Sequence, residues 1–134
     1  MFRSWFSKKN APSLRGAPAV RRLKTYSAQS GYVYQYFYEG KRPAGPGESA
    51  GTEYVFSISA DRKNWHPTAV LVGDAALRAW EQANGRELSS SEHYAVAKIA
   101  LFQAFDERAN PAQMKQEIHV RAADVEAIIE TLGL

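Results

Sequence analysis

A chain of 134 residues, 45% hydrophobic and 23% charged, has the make-up of one globular domain with enough core to fold without staples. It has no cysteine, which excludes disulfides and thiol catalysis and leaves a zinc site only histidine and carboxylate ligands. The net charge of +3 is unevenly spread: residues 1–24 hold seven basic residues and no acidic one, so residues 25–134 carry ten basic residues against 14 acidic ones. The basic pI therefore belongs to an N-terminal arm and is poor evidence for nucleic-acid binding by the body.

Residues 1–24 read as a flexible basic arm ahead of a single domain at 25–134. Phe2, Trp5 and Phe6 share one side if the first turn is helical, and Arg3, Lys8 and Lys9 flank them. With Arg21 and Arg22 they make a candidate contact arm for an anionic membrane surface, nucleic acid or a protein partner. The acid-free, Arg- and Ser-containing composition also has transit-peptide character, whereas a secretory apolar stretch is missing. No apolar run approaches the ~20 residues of a membrane span. The expected location is cytoplasmic, with peripheral membrane contact open.

A first strand is predicted over about 31–39, starting as early as Tyr26, on its aromatic and β-branched content. "EGKRPAGPGESAG" follows, and its Gly and Pro predict a long flexible hairpin loop. In 52–60, Tyr54, Phe56 and Ile58 alternate with Glu53, Ser57 and Ser59, which predicts a half-buried antiparallel strand. "DRKN" predicts a tight turn, and 65–72 a third strand. Pro67 requires that strand to lie at an edge or to begin after it.

The period then changes from 2 to 3.6. Asp74 is the predicted cap of a helix over 75–83 ending at Asn84-Gly85. Ser89 and Glu92 form a predicted capping box for a long helix. Its residues Tyr94, Ala97, Leu101 and Phe105 make one apolar face and Ala95, Ile99 and Phe102 an adjoining one. Only Lys98 and Gln103 interrupt that surface after His93. Such a helix is central to the core, or is covered by a partner as well. "MKQEIHV" predicts a fourth strand with Met114, Ile118 and Val120 on one side. A last helix over 122–132 presents Val125, Ile128, Ile129 and Leu132. The order β-β-β-α-α-β-α predicts an α+β fold: a two-layer domain with a mostly antiparallel sheet and the helices on one face.

"YVYQYFY" places Tyr32, Tyr34, Tyr36 and Tyr38 on one side of the first strand and Val33, Gln35 and Phe37 on the other. Facing the helices, the tyrosines are core. Facing outward, they form a row of roughly 20 Å that suits a protein interface or a platform for bases or sugars, with Lys41 and Arg42 at its end. The six residues are the candidate binding set.

Catalytic signals are sparse. His66, His93 and His119 fall on different predicted elements and share no ligand spacing. "GPGESAG" has neither the GK[ST] of a Walker loop nor a GxSxG frame. Asp106-Glu107-Arg108 reads as a solvated helix terminus. No metal or cofactor is expected. The expectation is a small non-enzymatic binding or assembly module, working as a homo-oligomer or with a protein partner. The alternatives are a nucleic-acid-binding accessory protein, with the arm on phosphates and Tyr34 and Tyr36 on bases, and a small enzyme with a His/Glu acid–base site.

Overall fold

The computed structural model describes residues 12–134, so Phe2, Arg3, Trp5, Phe6, Lys8 and Lys9 of the candidate arm lie outside the described residues. The elements run β1 (Lys24–Ser27), β2 (Val33–Ala44), β3 (Gly51–Ser59), β4 (His66–Gly73), α1 (Asp74–Asn84), α2 (Ser90–Glu107), β5 (Ile118–Val120) and α3 (Ala122–Leu132). The strands form one curled sheet in the order β1-β2-β3-β4-β5. Every pairing is antiparallel except β4 with β5. The three helices pack against one face, an α+β fold.

The alternation in β3 sets which face is buried. Tyr54, Phe56 and Ile58 are buried under the helices together with Leu101, Phe105, Ile128 and Ile129, as expected. Val70 and Val72 of β4 and Ile118 and Val120 of β5 extend the same layer. In α2 the capping box forms: the Ser89 side chain accepts from the Glu92 N–H and the Glu92 carboxylate accepts from the Ser89 N–H. The apolar excess of α2 is absorbed within the chain. Tyr26 of β1 stacks on Phe102 at 4.5 Å, and Tyr34 stacks on Phe105 at 4.3 Å.

Several predicted boundaries move. The segment expected as a long flexible loop is mostly strand: β2 runs on to Ala44, and only a short 3-10 turn, Gly47–Ser49, separates it from β3. A bulge at Glu39 restores register, with Tyr38 opposite Phe56 and Gly40 opposite Val55. The Arg42–Glu53 ion pair then staples the extension. Gly51 is required where the strands cross closely, since a Cβ there would sit 2.5 Å from the Val72 carbonyl oxygen. Pro67 is tolerated because β5 reaches only Val70–Val72, leaving the β4 edge open at Pro67. Gly73, not Asp74, is the N-cap of α1, and Asp74 is its first helical residue. The fourth predicted strand shrinks to three residues, because Pro111–Lys115 forms a 3-10 turn that buries Met114.

At the charged end of α2, Glu107 is exposed as expected, while Asp106 and Arg108 hold neighbouring chain. Asp106 accepts from the Tyr26 hydroxyl at 2.8 Å and the Gln29 N–H at 2.9 Å. Arg108 donates to the carbonyls of Gln113, Gln116 and Glu117, which holds the chain on its way into β5.

Candidate functional site

β1 and β2 pair from Ser27 opposite Val33 to Lys24 opposite Tyr36. Upstream of Lys24 the chain leaves the sheet and returns at Arg15, whose N–H and C=O bond to the C=O and N–H of Lys41, both at 2.8 Å. Between these anchors the arm advances nine residues while β2 advances five. The surplus has to loop away from the sheet. The loop and β2 enclose a cleft of about 300 Å³, at the low end of small-ligand sites. The arm contributes Gly16, Pro18 and Arg22 to its wall, while Lys24, Tyr36, Tyr38 and Tyr94 contribute from the sheet and α2. Two roomier hollows, one beside Tyr32, Asp61 and His66 and one beside Arg78 and Glu87, are shallower and more open to solvent.

The cleft is rich in donors. Burial, followed by Tyr54 and Tyr94, pushes the Tyr38 hydroxyl up to about 12. Burial likewise raises Tyr36 and Tyr94. The phenols therefore stay protonated and able to donate throughout the neutral range. Arg22 and Lys24 add positive charge. On α2, the Lys98 ammonium is 5.8 Å from the centre of the Phe102 ring. Burial first, and then Lys24, lower the pKa of Lys98. Among the described residues the ion pairs are Arg21–Glu39, Arg42–Glu53 and Arg86–Glu92. None involves Arg22, Lys24 or Lys98, and residues 1–11 contain no Asp or Glu that could neutralise them. Arg22 and Lys24 thus line the aromatic cleft without an ion-pair partner among the described residues.

The candidate tyrosine row turns inward. Tyr34 and Tyr36 are 0% and 5% exposed and pack on Phe105 and Phe102, so neither is open to stack on a base. The reason is that α2 offers rings to this side of β2, and their stacking outweighs the cost of covering the phenols. Tyr38 is half-buried against Tyr94. Tyr32 alone of the four is exposed, at 39%. Lys41 is tied by its backbone to Arg15, and Arg42 is taken up by Glu53. The two cations therefore do not stand free at a loop mouth. Arg21 lies over the Phe37 ring at 4.9 Å and pairs with Glu39 at 2.8 Å on the sheet face away from the helices. Arg22 is the one member of the candidate set in the charged wall of the cleft.

Lys24 and Tyr94 of the cleft wall were not singled out for binding in the sequence. Tyr94 left a signal there only as part of an apolar helix face. Lys24 left none, because its position depends on pairing with Tyr36. The histidines are spread out: His66 opens β4, His93 is in the first turn of α2, and His119 is exposed on β5. Among the described residues no group of three His, Asp or Glu side chains is placed to hold a metal ion, and no helix is long and apolar enough to cross a membrane. Comparison with family models, curated proteins and solved structures finds no match to this chain.

Proposed function

We propose that this protein is a non-enzymatic binding module whose ligand is a small anion with a flat or apolar body, seated between the arm and β2. The observation that carries this reading is that Arg22 and Lys24, with no carboxylate partner among the described residues, line a cleft floored by protonated tyrosines. Unpaired cations held together repel one another, and an anion that bridges them removes that cost. The aromatic floor suits a planar body, and the volume limits it to a small molecule. Calorimetric titration with phenyl phosphate, inorganic phosphate and phenol tests the reading. Phenyl phosphate is expected to bind best, more weakly at high salt and more weakly again in the Arg22→Ala/Lys24→Ala double variant. Binding unchanged in that variant, or no preference for phenyl phosphate over phenol, would refute it.

The assembly reading draws on a different surface. On the sheet face away from the helices, Phe37 lies between Arg21 and Trp65, whose ring is 5.3 Å away. Trp65, Val33 and Leu23 are 39%, 47% and 59% exposed. Light scattering at tens of micromolar tests it: a homodimer that Trp65→Ser converts to monomer supports assembly through this face, and a wild-type monomer refutes it.

A further inference from the structure

We infer that the cleft takes an N-acyl amino acid, which pairs with the backbone of Tyr38 as a single strand residue and sets its carboxylate toward Lys24. The inference rests on the anion reading above and narrows the ligand to a carboxylate that also carries an amide.

Backbone geometry carries it. In an antiparallel ladder, successive residues turn their N–H and C=O alternately to the strands on either side. The Ala28 N–H donates to the Tyr32 carbonyl at 2.9 Å. The same alternation makes Tyr34, opposite Tyr26, and Tyr36, opposite Lys24, the next β2 residues that bond toward β1. Tyr38 follows in that series, so its N–H and C=O turn to the arm side and away from its β3 neighbour Phe56. Beyond the bulge at Glu39 the series resumes at Lys41, which bonds Arg15 on the same side. Continued straight, β1 would bring Arg22 opposite Tyr38. The chain instead joins the sheet only at Lys24, and among the described residues no backbone group bonds the Tyr38 N–H or C=O. Tyr38 lines the cleft, so a strand-edge donor and acceptor stand open in its wall.

A residue set opposite Tyr38 exchanges two hydrogen bonds with it. Its amide N–H donates to the Tyr38 C=O, and the Tyr38 N–H donates to its carbonyl oxygen, here one oxygen of the carboxylate. Running antiparallel to β2, as β1 does, such a residue points its carboxyl end at Lys24 and its acyl end toward Arg15. Arg22 and Lys24 have no ion-pair partner among the described residues, so the charges match. The ligand side chain falls on the same side of the sheet as that of Tyr38, where the Tyr38 and Tyr94 rings are 4.8 Å apart. An apolar or aromatic side chain suits that face. A through-running strand does not fit, because β1 holds the line from Lys24 onward and Arg15 holds it opposite Lys41. The cleft volume of about 300 Å³ sets the same limit.

Calorimetry and amide-resolved NMR on the full chain test the inference, with N-acetyl-L-phenylalanine as probe. Phenylpropionate keeps the ring and the carboxylate but lacks the amide, and N-acetyl-N-methyl-L-phenylalanine lacks only the donor. Each is expected to bind about tenfold more weakly than the probe, the worth of one hydrogen bond. The Tyr38 amide is expected to exchange with solvent several-fold more slowly when the probe is bound. N-acetyl-L-phenylalaninamide, which has no carboxylate, is expected to bind more weakly than the acid. Phenylpropionate binding as tightly as the probe, or Tyr38 exchange unchanged at saturation, would overturn the pairing while leaving the anion reading in place. The amide derivative binding as tightly as the acid would overturn both.

Discussion

Replacing Phe105 with alanine tests the packing that sets the orientation of β2. Phe105 is 0% exposed and stacks on Tyr34 at 4.3 Å and on Tyr26 at 5.5 Å. Truncating a buried phenylalanine costs about 3–5 kcal/mol through lost transfer energy and the cavity left behind. A whole domain has roughly 5–15 kcal/mol of stability, so Phe105→Ala is expected to remove a large share of it. With a urea slope of about 2 kcal/mol per molar, the midpoint should fall by about 2 M. Phe105→Leu keeps most of the volume and loses the aromatic pairs with Tyr26, Tyr34 and Tyr36, each contributing about 0.5–1.5 kcal/mol, so its expected cost is about 1.5–4.5 kcal/mol. Urea unfolding followed by circular dichroism measures both variants. Hydrogen exchange should show β1 loosening first in Phe105→Ala, since Tyr26 and Asp106 tie that short strand to α2. A loss below about 1 kcal/mol in Phe105→Ala would show that α2 does not cover the tyrosine row.

Ile58→Ala and Leu101→Ala should each cost about 2–5 kcal/mol in the same assay, since both side chains are fully buried. Gly40→Ala should detach the arm while leaving the core intact: φ there is 131°, and a Cβ would lie 2.7 Å from the Arg15 carbonyl oxygen. The expected outcome is weaker phenyl phosphate binding at a nearly unchanged unfolding midpoint. Backbone hydrogen bonds from Asn64 and Lys63, joined by the Asn64 side chain, hold the Asp61 carboxyl well below the usual carboxylate range. The folded state therefore binds fewer protons than the unfolded one, and this contribution to stability is present above about pH 4 and lost as the pH falls further. Asp61→Asn should flatten that acid limb of the stability profile. Glu117 shows the opposite sign: burial, and then the Glu53 carboxylate, raise it from 4.5 to about 7. The folded state keeps a proton that the unfolded state releases, so stability falls as pH rises through that window, and Glu117→Gln should remove the fall.

Most elements were legible from local chemistry, but β1 was not: the periodicity predicts four strands, whereas Lys24–Ser27 is a separate fifth strand paired with β2. Tyr54, Phe56 and Ile58 read as the buried side of a strand because Glu53, Ser57 and Ser59 alternate with them, with Val55 alone breaking the polar side. Ser89 and Glu92 marked the start of α2, because a capping box needs only side chains three residues apart. Tyr34 and Tyr36 were undecided because Val33 and Phe37 make the opposite side of β2 apolar too, so the period of 2 gave no preferred face. Phe102 and Phe105, more than 60 residues away in sequence, made that choice by stacking. Strand β2 hid its second half among glycines and prolines that signal a loop, since the bulge at Glu39 and the Arg42–Glu53 pair exist only once β3 lies alongside. The cleft was wholly tertiary. It arises because the backbone of Arg15 reaches Lys41 while Lys24 reaches Tyr36, and the length mismatch between two such distant anchors leaves no trace in residue type or spacing.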